Sequence, residues 1–106
     1  MGRAVLKFTH EGIDYYSEWS SVVDAPITYL LTREDFEQYY REEYGRFGMQ
    51  DFQKMMERVD ETGTSSRHFT REEIISANRA GPNETKITEQ EIIRHYLLEA
   101  GREPEV

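Results

Sequence analysis

From residue 3 to residue 10 the chain alternates, with Ala4, Leu6 and Phe8 on one side of an extended segment and Val5, Lys7 and Thr9 on the other. A period of two predicts a β-strand, because successive side chains of extended backbone point to opposite faces. Glu11-Gly12 supplies a turn, and Ile13 to Ser17, rich in β-formers, predicts a second strand. Two strands joined this tightly make an antiparallel hairpin. Ser20 to Leu31 is less regular. Val22-Val23 and Ile27-Thr-Tyr-Leu-Leu31 have strand composition, but Ala25-Pro26 interrupts them, and a proline cannot donate to a central ladder. This segment is expected as an edge strand or an extended crossing.

Beyond Leu31 the period becomes helical. Three segments share one pattern of apolar residue, Thr, two variable positions, acid and apolar residue: Leu31 to Phe36, Phe69 to Ile74 and Ile87 to Ile92. Each reads as a helix start. The Thr side chain accepts from the backbone N–H three positions on, the acid returns a bond, and the flanking apolar pair staples the entry. Phe36, Tyr39, Tyr40 and Tyr44 then mark a first helix whose end or break is bracketed by Gly45 and Gly48. Phe52, Met55, Met56 and Val59 mark a second helix, stopping near Asp60-Glu-Thr-Gly63. A short third helix after Thr70 carries Ile74 and Ile75 and ends by Ala80-Gly-Pro-Asn83. The last, after Thr88, puts Ile92, Ile93, Tyr96, Leu97 and Ala100 on one face and ends at Gly101, with residues 103–106 expected to fray. The expected class is α+β: one domain over residues 1–102, an N-terminal antiparallel hairpin of two or three strands packed against three or four C-terminal helices.

With 106 residues, the chain has room for one modest core. Charged residues make up 32% of it, but seven Tyr, five Phe and one Trp supply enough bulk for a folded domain. The absence of Cys removes disulfides, thiolate zinc sites and thiol nucleophiles. No long apolar run or leader-like segment is visible, so a cytoplasmic location without membrane contact is expected. Twenty-one acids against 13 Lys and Arg give a net charge of −8, with the two signs interspersed. Direct nucleic-acid binding, which needs a basic stripe, is therefore not expected.

No phosphate loop, dinucleotide fingerprint, zinc-protease or nucleophile-elbow motif occurs. His10, His68 and His95 fall on a strand end, a loop and a helix, and adjacent acids such as Glu42-Glu43 diverge on a helix, so no catalytic group, metal or cofactor is expected. One local resemblance stands out. Phe52 to Gly63 followed by Phe69 to Glu73 resembles the helix, loop and helix of an EF-hand. Matching Asp60 and Glu73 to the first and last ligands needs a loop two residues longer than the standard one, with Thr62, Thr64 and Ser66 between them and Gly63 misplaced. The resemblance thus implies a degenerate helical hairpin rather than a calcium site.

What remains is aromatic. Tyr15, Tyr16, Trp19 and Asp24 lie at the hairpin exit and Tyr39, Tyr40 and Tyr44 on the first helix, and rings of this kind anchor protein interfaces. These seven are the candidate partner-binding residues, and the expected function is a non-enzymatic protein-binding module whose partner is another protein or a second copy of the chain. A short acidic chain with capped helices is similar to accessory proteins of phages and mobile elements, which implies an inhibitor or adaptor acting on a host protein. The alternatives are a regulatory nucleic-acid-associated protein, suggested by two helices around a turn between Thr70 and Ala100, and an acidic nucleic-acid mimic.

Overall fold

Glu11 and Gly12 both take positive φ, 53° and 79°, the geometry of the two-residue turns whose twist matches that of paired strands. That turn joins β1 (Arg3–His10) to β2 (Ile13–Ser20) in unbroken antiparallel register, from His10 opposite Ile13 to Arg3 opposite Ser20. The computed structural model describes residues 3–98. Ala100, the expected stop at Gly101 and the expected frayed tail lie outside the described residues.

A third strand is present, and it is interrupted. β3 (Ala25–Pro26) pairs with Ser20 and Trp19, and five residues later Leu31 exchanges two backbone hydrogen bonds with Tyr16, at 2.7 and 2.8 Å. Between those points the Thr28 hydroxyl accepts from the Glu18 N–H at 3.1 Å, standing in for a ladder carbonyl. Pro26 sits on the outer strand, where its missing N–H costs no sheet bond. The free edge of β1 is lined in turn by residues 63–65, through Lys7 N–H to the Gly63 carbonyl and Ser65 N–H to the Val5 carbonyl.

The helices are α1 (Arg33–Met49), α2 (Phe52–Thr62), α3 (Arg71–Ser76) and α4 (Glu89–Ile93), the last continuing into a π turn over Arg94–Leu98. α1 is broken at Gly45, whose φ of 67° and ψ of −164° are not helical. α2 ends in a left-handed Gly63. Thr32, Thr70 and Thr88 each cap a helix, and at Thr70 and Thr88 the return bond from Glu73 or Glu91 completes a capping box. The box does not close at Thr32, where the acid is Asp35, one methylene shorter. The staple also fails once: Leu31 and Ile87 pack into the core beside their caps, whereas Phe69 stays 61% exposed.

These elements make an α+β fold in which both faces of the sheet are covered. On one face Val5 and Tyr16 pack with Phe36, Phe52, Met56 and Val59 of α1 and α2. On the other, Leu6, Phe8 and Trp19 pack with Leu30 and with Ile92 and Ile93 of α4, joined by Ile74 and Ile75 of α3. Alternation along each strand feeds both cores, so neither face of the hairpin is left to water.

Candidate functional site

Period two also places Glu18 on the α1 side of β2, between Tyr16 and Ser20. Glu18 is only 3% exposed. A carboxylate taken out of water needs partners for its charge and its lone pairs, or burial would drive it neutral. α1 supplies two of them, five residues apart along the helix: the Tyr39 hydroxyl donates to Oε1 and the Tyr44 hydroxyl to Oε2. Tyr44 also accepts from Arg3 Nη1 at 3.0 Å, and the same nitrogen lies 3.9 Å from Glu18 Oε1. Both phenols are pushed up from their ordinary acidity, first by burial and then by bonding to the carboxylate, with Tyr39 shifted strongly. An open depression of about 350 Å³ adjoins this cluster, bounded by Arg3, Glu18, Tyr40, Tyr44, Met55 and Ser65.

On the far side of Arg3, Ala4 and Ser65 lies a larger cleft of about 920 Å³. It runs between the strand ends and residues 65–77. Trp19, Ala4 and Ile74 give it apolar lining, Arg67 and Glu73 give it charge, His68 adds a polar ring, and Phe69 stands exposed at its rim. Trp19 Nε1 is buried and has no hydrogen-bond partner among the described residues, a costly state for an indole N–H.

A second polar cluster is structural. Asp60 accepts from the Tyr16 hydroxyl at 2.8 Å and from Arg33 at 3.0 Å, while Lys7 Nζ donates to its backbone carbonyl at 3.1 Å, tying β1, β2, α1 and α2 together. Burial acts to raise the Asp60 pKa, but the bonds from Tyr16 and Arg33 outweigh it and the carboxyl is held below its ordinary value. Asp60 thus lies in the last turn of α2 with its oxygens engaged, and Glu73 spends its carboxylate on the Thr70 N–H. Among the described residues no group of three or more His, Asp or Glu is placed to hold a metal ion.

The seven aromatic-locus residues do not form one surface. Tyr16 and Trp19 are core residues on opposite faces, which corrects their reading as partner-facing anchors: adjacent strand positions alternate, and both faces are covered. Tyr15 is half-buried with Trp19 on the α3 and α4 side, whereas Tyr39, Tyr40 and Tyr44 are half-buried on the α1 and α2 side. Tyr40 packs on Tyr44, Phe52 and Phe36 at centroid distances of 4.5, 5.4 and 5.9 Å. Asp24 pairs with Arg79 at 3.1 Å while its carbonyl accepts from the Arg79 N–H. The structure therefore gathers Tyr39, Tyr40 and Tyr44 around Glu18 and places Trp19 and Asp24 at the cleft. Large apolar side chains that do reach solvent are others: Ile13 at the start of β2, Val22, Val23, Ile27 and Tyr29 after it, Phe47 past the Gly45 break, and Phe69. The expected second strand stopped at Ser17 and so missed Glu18; β2 runs on to Ser20, and carrying the period of two one position past Ser17 would have put this acid on the face of Tyr16.

No protein-family model, curated protein or solved structure matches the chain. No helix among the described residues is long and apolar enough to cross a membrane.

Proposed function

We propose that this protein is a small non-enzymatic protein-binding module that takes a segment of its partner into the cleft beside Arg3, Trp19 and Phe69. The observation that carries this reading is Phe69, a phenylalanine at a helix-entry position where its counterparts Leu31 and Ile87 are packed, left 61% exposed at the rim of a cleft with apolar lining. An exposed ring beside apolar lining and a mixed-charge rim is the usual make-up of an interface hot spot, in which one aromatic anchor carries much of the energy and the polar rim excludes water. Because Phe69 contributes to neither hydrophobic core, removing it should spare the fold.

The test is affinity capture from the source cell with wild type and Phe69→Ala in parallel, each first shown to melt at the same temperature. A protein retained by wild type and lost with Phe69→Ala is the expected result. Nucleic acid as the specific co-purified species, or a protein retained equally by both baits, would overturn the reading.

A further inference from the structure

The buried charge of Glu18 is incompletely matched. Its two tyrosine partners are neutral donors that fill lone pairs without cancelling charge. Among the described residues the cation recorded against it is Arg3, and that contact is weak: 3.9 Å from Oε1, at the outer limit of an ion pair, from a side chain 56% exposed. The guanidinium spends its hydrogen bond on the Tyr44 hydroxyl instead of on the carboxylate. Beside this arrangement lies the 350 Å³ depression, bounded among others by Tyr40 and Tyr44, whose ring centroids are 4.5 Å apart, and by Met55. Glu43 adds negative potential near Tyr39, and the chain carries −8 overall.

From this juxtaposition we infer that the depression is a recognition pocket for an arginine side chain of a basic partner segment, and that Arg3 is a loosely held stand-in which the partner's arginine displaces. A guanidinium fits better than an ammonium. It is planar, weakly hydrated, able to lie against tyrosine rings and able to fork two bonds onto a carboxylate. The depression and the cleft share Arg3, Ala4 and Ser65, so a chain lying in the cleft has only that ridge to cross before its side chain reaches Glu18. The inference rests on the protein-binding reading for its biological partner, although the pocket itself can be probed without one.

The experiment titrates the full chain with three blocked tripeptides, acetyl-Gly-Arg-Gly-amide and its Lys and Ala counterparts, following the ring signals of Tyr40 and Tyr44 by NMR. Saturable shifts with the Arg peptide, weaker ones with Lys and none with Ala are expected. Arg3→Ala should tighten the Arg peptide by about threefold or more, because a pocket occupied by its own side chain is competent only part of the time. Glu18→Gln should abolish saturation, and Tyr40→Leu, which removes a ring from the pocket wall while leaving Glu18 and its hydrogen-bond partners in place, should weaken it severalfold should Glu18→Gln fail to fold. Equal shifts with the Arg and Ala peptides, or unchanged or weaker binding in Arg3→Ala, would overturn the assignment. A captured partner that binds Tyr40→Leu as well as wild type sinks this inference and leaves the protein-binding reading standing. Arg-selective binding with no protein partner does the reverse.

Discussion

Asn78 holds Ile87 by both of its backbone polar groups: Nδ2 donates to the Ile87 carbonyl at 2.8 Å and Oδ1 accepts from the Ile87 N–H at 3.0 Å. The same side chain donates to the Ile75 carbonyl and accepts from the Ala80 N–H. One amide thereby closes the end of α3 and fastens the loop that leads to α4, at a position only 1% exposed.

Replacing that amide should be among the costliest single changes in the protein. Asn78→Ala takes the partner from the Ala80 and Ile87 N–H groups and from the Ile87 carbonyl, while the Ile75 carbonyl keeps its bond from the backbone N–H of residue 78; an orphaned buried group typically costs 1–3 kcal/mol, so a loss of about 2–4 kcal/mol is expected. Urea melts followed by circular dichroism measure it. A loss below about 0.5 kcal/mol would mean that water replaces the amide and that the site is less closed than its burial indicates.

The three threonine caps should not be equivalent. Thr70→Ala and Thr88→Ala each remove a cap within a closed box and are expected to cost about 0.5–2 kcal/mol. Thr32→Ala should cost less, because its bond to the Asp35 N–H is 3.3 Å long and no return bond is made. The ranking, read from denaturant midpoints at constant slope, is the check.

Alkaline pH should loosen the α1 face of the sheet. Tyr16, Tyr39 and Tyr44 have folded pKa values above their ordinary value of 10.0, with burial as the first cause. A raised folded pKa gives stability that is fully present below the unfolded value and is lost as pH rises through the folded one. Melting temperature should therefore begin to fall near pH 10 and continue to fall above it. Tyr39→Phe, which cannot ionise, should fall less steeply over the same range, and parallel curves for the two proteins would remove Tyr39 from the account.

Acid should act through Asp60. Its folded pKa lies below the ordinary 3.8, so its contribution is present above that value and fades as pH falls through the folded one. Asp60→Asn should flatten the acid limb of the stability curve below about pH 4 while changing little of its shape at neutral pH. The cross-check is Arg33→Gln, which removes a donor to the same carboxylate and should move the acid limb toward higher pH.

The parts of this protein written locally are the parts its sequence determined. A two-residue turn between alternating segments sets the hairpin at Glu11-Gly12, a Thr with an acid three positions on starts α1, α3 and α4, and glycines without a Cβ penalty break α1 at Gly45 and end α2 at Gly63. Each of these signals acts within about one turn of backbone, so a linear reading contains its cause.

Other outcomes belonged to the packing of distant segments. Period two separates Tyr15 from Tyr16 and Leu6 from Val5, but it does not say whether one face or both are covered. That was decided when α1 and α2 closed over one side and α3 and α4 over the other. The same closure took Tyr16 into the core, left Trp19 as the buried lining of a cleft, and left Phe69, the counterpart of two packed residues, in solvent. Glu18 is buried because Tyr39 and Tyr44 arrive from 21 and 26 residues away to accept the cost of its desolvation, and Asn78 is a keystone because Ile87 returns to it from nine residues on. Burial is a property of everything that surrounds a side chain, and for these residues the surroundings are supplied by chain that lies elsewhere in the sequence.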